Sequence, residues 1–411
     1  MPPAEFTVPE SESPAAPRER PWLFNFLIAP DAIITLGLIG GALSYLLRDE
    51  GVDPGRAASI VSLLSVPHAI YFLWGPVTDF WMRRRTWLIA GAAASATALL
   101  LSFYQPKLSG PLAVALLFLT ACFGVVVAAA CGGIMGTLHS ERNRRRAGAF
   151  YQSGSLAFGA IAVFVLVSLA QRHSLIMLGW ILAAMIVLPA LFTLLAPPQP
   201  ELHAEGAGEI LGRIGREFKS TFLRWEAIPY SLLITSPASS GAMIGLLPEL
   251  ARDYGVSGQQ VAWINGLGGA LLMAAGAFSA TLIPIKVRTP IAYCLIGLTN
   301  AATLAVLAIG PLRPEVYFAG TVLFLFSIGA GFAVFTGVLL EYMGHSGKSG
   351  SARYAIVNSL GNLPVAYMSW IDGRGYALLG PRGMPGTDAV VSAIVASVLL
   401  GHFVFSRRRK R

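Results

Sequence analysis

Charged residues and cysteines are both scarce in this chain of 411 residues. Asp, Glu, Lys and Arg together make up 12% of the sequence, whereas hydrophobic residues make up 55%. A soluble globular domain carries about twice that charged share, so the composition excludes a water-soluble protein of this size. The three cysteines, Cys122, Cys131 and Cys294, lie in apolar segments and imply no disulfide framework. Because no Cys or His spacing matches a metal site, we expect neither a metal ion nor another cofactor.

Long apolar runs account for most of the chain. A helix needs about 20 mostly apolar residues to cross the hydrocarbon core of a bilayer. Twelve segments meet that length, namely 24–47, 57–79, 86–104, 111–138, 147–170, 174–196, 227–250, 260–283, 289–309, 315–341, 352–371 and 386–405. No short apolar region with a cleavage site precedes the first run, so we expect that run to be a retained helix. The sequence therefore predicts an all-α integral membrane protein with twelve transmembrane helices.

Basic residues are distributed unevenly among the predicted loops. Of the 30 Lys and Arg residues, 22 fall on the side of the N-terminus and 8 on the opposite side. The positive-inside rule then predicts a multi-pass protein of the cytoplasmic (inner) membrane with both termini in the cytoplasm. The net charge of +9 lies in short loops rather than on one face. We therefore expect membrane lipid, and no nucleic acid, as a partner.

The chain repeats itself at half its length. Residues 48–52 (RDEGV) match residues 252–256 (RDYGV), at an offset of 204. The same offset pairs Arg84 with Arg288 and the dipeptide 155–156 (SL) with 359–360 (SL). An even number of helices in each half predicts two pseudo-symmetric six-helix bundles related by an axis along the membrane normal. The predicted parts are a disordered tail (1–21), a bundle (22–196), a linker with an amphipathic helix (197–226), a second bundle (227–405) and a basic tail (406–411).

The loop after the second predicted helix carries the clearest motif. Residues 75–85 have the sequence GPVTDFWMRRR, which contains Gly75, Asp79, Arg83 and Arg84. This segment resembles the G-x-x-x-D-(R/K)-x-G-R-(R/K) loop of the major facilitator superfamily, with Met82 in place of the second glycine. The resemblance implies a charged latch that holds one face of a transporter closed and opens when its halves rock. The alternative is a simple surface ion pair.

A closer resemblance covers about a quarter of the chain. Residues 36–52, 66–79 (ending FLWGPVTD) and 352–360 (ARYAIVNSL) resemble the AmpG-type muropeptide permeases and their acetyl-CoA transporter relatives. The acidic residues usual in the fourth helix of that family are absent from residues 127–137. The resemblance implies a secondary active transporter that works as a monomer and is driven by a proton gradient. It also implies uptake of a peptidoglycan fragment or a similar small polar solute.

Two other functions stay open at this point. One is efflux of drugs or metabolites, and the other is a membrane sensor or assembly protein that no longer transports. An enzyme is disfavoured, because the sequence shows no paired intramembrane carboxylates and no H-E-x-x-H or G-x-S-x-G motif.

Few ionisable groups lie at membrane depth, where such groups are costly and usually functional. Asp31 in the first helix is the candidate proton carrier, although an ordinary interfacial carboxylate is the alternative. His68 in the second helix is either a proton relay or a packing histidine. Glu249, Glu341 and Asp372 lie near helix ends, where solvation by water is easier.

A substrate cavity should be lined by polar and aromatic side chains near the middle of the helices. For each single candidate, hydrogen bonding between helices is the alternative explanation. The candidates are Tyr71, Tyr151, Gln152, Tyr230, Ser236, Ser239, Ser240, Trp263, Asn265, Thr336, Asn358 and Asn362.

Overall fold

The computed structural model describes most of the chain. The described residues are 19–52, 54–71, 75–79, 81–170, 172–196, 228–343 and 350–408, together with Gly212 and Lys219. The predicted disordered tail up to residue 18 and nearly all of the predicted amphipathic linker lie outside them, as do residues 409–411 of the basic tail. Those predictions, and the domain boundaries that depend on them, stay predictions.

Twelve helices cross the membrane, as the sequence predicts. In the first half they are α1 (21–49), α2 (Pro54–Ala69), α3 (Arg84–Phe103), α4 (Pro111–Met135), α5 (Glu141–Ala170) and α6 (Leu175–Ala190). In the second half they are α7 (Ile228–Ile234 and Ala242–Leu250), α8 (Gly258–Asn265 and Leu267–Ser279), α9 (Thr289–Ile309), α10 (Pro314–Met343), α11 (Gly350–Leu360 and Leu363–Leu379) and α12 (Gly383–Arg408). The described residues contain no β-strand.

Length and hydropathy single out nine of the described stretches as long enough to cross a membrane. The last of these, Ile356–Phe405, contains both α11 and α12, which pack against each other. The two helices that fall short are α2, with the apolar stretch Ser59–His68, and α7, which is interrupted in the middle. Helix α2 has 16 residues, and the interruption at 235–241 divides α7 into segments of 7 and 9 residues, so none of these reaches the required length by itself.

The two halves share backbone detail at the predicted repeat. Gly51 after α1 and Gly255 after α7 both have a positive φ, of 81° and 71°. Glycine is the residue that adopts this conformation without strain from a side chain. The residue that follows each glycine closes the same turn, since Val52 N donates to Leu47 O and Val256 N donates to Ala251 O. All of these pairs keep the offset of 204 residues.

The helices pack closely where small residues meet. Added side-chain atoms at Gly276 of α8 or Gly329 of α10 would collide with the backbone carbonyls of Phe326 and Met273. Such close approach is typical of membrane helices, because packing rather than the hydrophobic effect drives their association in lipid.

Four helices depart from regular α geometry near the middle of the bilayer. Helix α1 contains a π-helical stretch, Ile33–Ala42, and α7 is open between its two segments at 235–241. Helix α8 bends at Gly266, and α11 is interrupted at 361–362. Irregular backbone at membrane depth persists only where protein or a water-filled cavity surrounds it. We therefore expect a cavity between the halves near these irregular positions.

The halves meet on the side of the membrane that carries the chain termini. Helix α5 packs against α8 and α10, and α4 packs against the first segment of α11. At that side the rings of Phe150 and Phe278 lie 5.8 Å apart, and Gly132 lies against the ring of Tyr354. The structure is therefore closed on the side of the termini.

Candidate functional site

A cavity of about 350 Å³ lies between the two halves. It is bordered by the π-helical part of α1, by α2 and α5, and by α7, α9, α10 and α11. The polar residues that line it include Asp31, Thr35, His68, Tyr151, Gln152, Ser155, Ser236, Ser239, Ser240, Tyr293, Asn358 and Asn362. Nine of these were predicted from the sequence, and Thr35, Ser155 and Tyr293 were not.

Asp31 and His68 meet in the wall of this cavity. The Nε2 atom of His68 lies 3.4 Å from Oδ1 of Asp31, and Thr35 donates a hydrogen bond of 3.1 Å to the same oxygen. Asp31 is only 6% exposed, and α4 approaches it at Gly124. The structure thus brings together the two predicted coupling candidates, which lie on different helices. Thr35 escaped prediction although its spacing of four residues from Asp31 is one helical turn.

Three tyrosines form an aromatic cluster behind this pair. The ring of Tyr71 stacks with His68 at 6.4 Å, and the rings of Tyr151 and Tyr354 lie 6.2 Å apart. The hydroxyls of Tyr71 and Tyr354 are buried and have no hydrogen-bond partner among the described residues. Tyr71 therefore supports His68 from behind and is not one of the cavity-lining residues.

Gln152 joins the two halves at the edge of the cavity. Its Nε2 donates a hydrogen bond of 2.9 Å to the hydroxyl of Thr336, which in turn donates to the carbonyl of Phe332. Thr336 is completely buried and does not itself line the cavity. A polar bond between α5 and α10 of this kind is sensitive to any movement of one half against the other.

The open segment of α7 forms part of the opposite wall. Ser236, Ser239 and Ser240 line the cavity there, and Ser239 and Gly241 both have positive φ values, of 60° and 77°. Neighbouring helices hold the segment in place. The hydroxyl of Tyr293 donates to the carbonyl of Ala238, and Asn300 donates to the Ser239 hydroxyl at 2.6 Å.

Three other predicted candidates lie elsewhere. Asn265 donates a hydrogen bond of 2.7 Å to the hydroxyl of Tyr317 inside the second half. Tyr230, at the end of α7 near the termini, donates a bond of 2.8 Å to Glu341. Trp263 is 62% exposed on the outside of α8. None of the three lines the cavity.

The predicted latch residues lie on the side of the termini. A short 3₁₀ turn, Gly75–Asp79, packs against the first segment of α11. Arg84 donates to Oδ1 of Asp79 through Nη2 at 2.8 Å and Nε at 3.0 Å, and to the carbonyl of Gly133 at 3.4 Å. Asp79 and Arg84 are both 2% exposed. Arg83 precedes α3 in an extended conformation and is exposed. The pair is therefore buried between the halves rather than lying on the surface.

A second cavity, of about 470 Å³, lies at the same side between α5 and the end of α8. Arg142, Arg145 and Arg146 line it on one side and residues 280–285 on the other. Arg145 donates to the carbonyl of Val287 at 2.5 Å and pairs with Glu141 at 3.1 Å. Arg145 thus ties α5 to the second half. No group of three or more His, Cys, Asp or Glu residues that could hold a metal ion occurs among the described residues.

The amino-acid sequence matches a known protein family over most of its length. A model of the Major Facilitator Superfamily matches residues 27–368. The chain belongs to the major facilitator superfamily. Members of this superfamily are membrane transport proteins rather than enzymes.

Two solved structures share the fold. The crystal structure of the human organic anion transporter MFSD10 (TETRAN) has a TM-score of 0.66 at 16% identity, covering 92% of this chain and 98% of that chain. The proton:xylose symporter XylE bound to 6-bromo-6-deoxy-D-glucose has a TM-score of 0.61 at 15% identity, covering 92% and 93%. No curated protein sequence matches the chain. Identities this low establish the common fold alone.

Proposed function

We propose that this membrane transporter moves a small, polar and largely neutral solute by alternating access, and that proton binding at Asp31 and His68 drives it. The observation that carries the proposal is the Asp31–His68 contact of 3.4 Å in the wall of a cavity between the halves. A buried carboxylate held beside a histidine exchanges one proton with a small change in geometry, since each group can hold it.

The lining of the cavity supports a neutral polar solute. Apart from Asp31 and His68, its described polar side chains are hydroxyls and amides. Such groups recognise hydroxyl and amide groups of a ligand by hydrogen bonding, and they leave no fixed countercharge for a strong anion. A volume of about 350 Å³ is in the usual range for small-molecule sites, roughly 300–1,000 Å³. A monosaccharide or a small amide-bearing saccharide fits this description.

The resemblance to AmpG-type permeases supports a peptidoglycan fragment as the first solute class to test. The similarity to the proton:xylose symporter XylE supports sugars as the second, and that to the organic anion transporter MFSD10 supports anions as the third. Of the three classes, sugars carry no charge, and the single acidic group in the cavity favours them.

The Gly75–Arg84 region serves as the latch in this proposal. Asp79 and Arg84 hold the turn at 75–79 against α11 while the side of the termini is closed. Rocking of the halves would separate that turn from α11 and break the Gln152–Thr336 bond, so the cavity would open toward the termini.

The orientation belongs to the same proposal. The excess of basic residues on the side of the termini supports placing both termini in the cytoplasm, with the protein in the cytoplasmic (inner) membrane. The closed side would then face the cytoplasm. We propose that a monomer surrounded by lipid is the working unit, because both walls of the cavity come from one chain.

Transport measurements on the purified protein, reconstituted into lipid vesicles and offered a panel of solutes, test the proposal. Proteoliposomes under an imposed pH gradient would be offered muropeptides, monosaccharides, short peptides and organic anions. Asp31→Asn should abolish gradient-driven accumulation of the accepted solute while leaving exchange across equal solute concentrations largely intact. Asp49→Asn, on an exposed residue at the end of α1, is the matched control and should behave like the unaltered protein.

Three results would contradict parts of this proposal. Accumulation by Asp31→Asn that still follows the pH gradient would remove the coupling role of Asp31. A solute that moves only outward would support the efflux alternative. A correctly folded protein that moves no member of the panel would support a sensor or assembly role instead.

A further inference from the structure

A second pair of carboxyl groups lies within the membrane, in the half of the protein that the proposed coupling site does not use. Asp372 is in the second segment of α11 and Asp388 is in the second turn of α12, both on the side away from the termini. Asp372 is completely buried and Asp388 is 5% exposed. Asp372 lies near a helix end, where solvation is easier, but α12 packs over it and keeps it from water. The expectation that the chain has no paired intramembrane carboxylates was wrong.

The two helices approach closely at this point. Gly375 of α11 lies against Gly383 and Thr387 of α12, where an added side-chain atom would collide with both. The carboxyl groups of Asp372 and Asp388 consequently lie close enough to interact with each other. Neither oxygen of Asp372 has another hydrogen-bond partner among the described residues.

Basic groups do not neutralise this pair in the described part of the chain. Arg374, two residues from Asp372, lies over the ring of Trp370 at 5.3 Å. Arg382 donates to the carbonyl of Gly310. Helix α9, which packs along α12, carries no charged residue.

The other titratable groups around the pair have partners of their own. Tyr376 donates to Asp253 at 3.2 Å, and Tyr367, which interacts electrostatically with Asp388, donates to the carbonyl of Thr235 at 2.7 Å. Tyr293 of α9 donates to Ala238. The side chain of Glu249 in α7 lies outside the described set.

Two ionised carboxylates that lie this close inside the membrane repel each other. Each has only acceptor oxygens, so a hydrogen bond between them requires a proton. Like charges held together in a medium of low dielectric constant repel each other strongly, so such a pair takes up one proton more readily than a single carboxylate does.

A serine links the pair to the open segment of α7. The hydroxyl of Ser392, one helical turn after Asp388, lies 2.8 Å from Oδ1 of Asp388 and 3.3 Å from the carbonyl of Pro237. A serine hydroxyl has one proton to donate, so it serves one of these acceptors at a time. A hydrogen bond to a charged acceptor is roughly twice as strong as one to a neutral acceptor. Loss of the proton from the pair therefore draws Ser392 toward Asp388 and away from Pro237, and gain of the proton releases it to Pro237.

We propose that Asp372 and Asp388 form a second proton-binding site of this protein, and that its occupancy controls the open segment of α7 (235–241) through Ser392. The ligand is a single proton taken from the aqueous phase, which forms an O–H bond on one carboxyl while the other keeps its negative charge. Bound proton stabilises the segment, whereas proton release loosens it. Because Ser236, Ser239 and Ser240 of that segment line the cavity, the site would adjust the cavity wall from the side away from the termini.

Infrared difference spectroscopy of the purified protein in lipid nanodiscs tests the proton site without solute or gradient. The expected result is a protonated-carboxyl band whose intensity titrates with pH and which is lost in both Asp372→Asn and Asp388→Asn. Asp253→Asn, in the loop after α7, is the matched control and should retain the band. A band that survives both pair variants would overturn the proposal, as would a band that sodium chloride removes at constant pH while choline chloride does not. If one Asn variant fails to fold, the other decides.

Hydrogen exchange tests the link to α7. The amides of Ser236 and Ser240 donate to the carbonyls of Leu233 and Pro237. They should exchange faster above the pH at which the protonated-carboxyl band disappears, after correction for the intrinsic effect of pH on exchange. Ser392→Ala should keep the titrating band and lose this change in exchange. A change that persists in Ser392→Ala would overturn the link. None of these measurements depends on transport, so a failure of the proposed transport function would leave their outcome unaffected.

Discussion

At the scale of single residues, Asp79 and Arg84 are the charged pair most removed from water. Both bonds from Arg84 end on one oxygen of Asp79, and each side chain is 2% exposed. The motif in the sequence predicts that these residues interact, but its alternative, a surface ion pair, is wrong. A buried pair has a different energetic consequence from a surface pair, because removal of one partner leaves an uncompensated charge.

Asp79→Asn should therefore destabilise the protein strongly. We expect a loss of about 3–5 kcal/mol in the free energy of unfolding, measured in detergent by denaturant titration. Glu141→Gln is the matched control, since Glu141 pairs with Arg145 but its side chain is 55% exposed. The control should cost less than about 1 kcal/mol. Equal losses in the two variants would contradict the burial argument.

Glu19 fastens the start of the described chain to the connection between α4 and α5. It accepts hydrogen bonds from the backbone of His139 at 2.6 Å and from Nδ2 of Asn143 at 2.7 Å. Burial by itself would raise the pKa of Glu19, but these hydrogen bonds outweigh it and lower the pKa below its usual value. A carboxyl with a lowered pKa in the folded state stabilises that state above its unfolded pKa, and loses this contribution as the pH falls through the folded value.

Acidification should consequently release the N-terminal segment. A fluorophore on Arg20→Cys, an exposed residue next to Glu19, would report this as a fall in anisotropy when the pH drops below the usual range of carboxyl pKa values, while the buried native cysteines remain unlabelled. Glu19→Gln should show low anisotropy with no such pH dependence. Anisotropy that is constant with pH in the otherwise unaltered protein would contradict the prediction.

At the scale of helices, α4 and α11 depend on a glycine for their contact. Gly132 lies against the ring of Tyr354, and an added methyl group would collide with that ring. Tyr354 is completely buried, so it cannot move aside without disturbing its contact with Tyr151. The contact joins the two halves on the side of the termini and exists only while that side is closed.

Gly132→Ala should shift the protein away from the closed arrangement on the side of the termini. Spin labels at Leu194→Cys and Leu282→Cys, both exposed at that side and in different halves, should show a longer distance distribution. Gly401→Ala is the matched control, because a methyl group there would meet open space. An unchanged distribution in Gly132→Ala would show that Tyr354 adapts without separating the helices.

At the scale of the whole molecule, the halves touch on one side of the membrane. Alternating access requires those contacts to break and re-form during each cycle. The rings of Phe150 in α5 and Phe278 in α8 lie 5.8 Å apart across this boundary. The rings of Trp22 and Phe192 are at a similar separation, 6.2 Å, but both belong to the first half.

A short reducible cross-linker between Phe150→Cys and Phe278→Cys should stop flux of the neutral solute with the highest uptake, and reduction should restore it. The same reagent on Trp22→Cys with Phe192→Cys should leave flux close to that of the unlinked variant, because no relative movement of the halves is restrained. Flux that survives the cross-link between the halves would rule out rocking about this boundary.

Much of the architecture is determined by the sequence alone. Twelve apolar segments, sparse charge and an offset of 204 residues predict a twelve-helix fold in two related halves, because hydropathy and loop turns are local properties of the chain. The shared conformation of Gly51 and Gly255 follows from the same local pattern.

The site required the tertiary structure. Asp31, His68 and most cavity residues are predictable as polar groups at membrane depth, but sequence spacing does not show which ones converge. Asn265 and Tyr230 are polar residues in apolar helices, as Asn358 and Tyr151 are, yet their hydrogen bonds lie within the second half and not in the cavity. Asp388 was not among the predicted residues, because a single acidic residue does not interrupt an otherwise apolar segment. Its proximity to Asp372 follows from the close packing of α11 and α12 at that point.

The physical reason is the irregular backbone. The π-helical stretch of α1 and the open segment of α7 rotate the side chains beyond them relative to a regular helix, so helical spacing does not predict where they point. Neighbouring helices determine those irregularities through bonds such as Tyr293 to Ala238 and Ser392 to Pro237. The sequence by itself determined which segments cross the membrane and that they repeat, whereas packing between helices decided which polar groups converge in a cavity or in a buried pair.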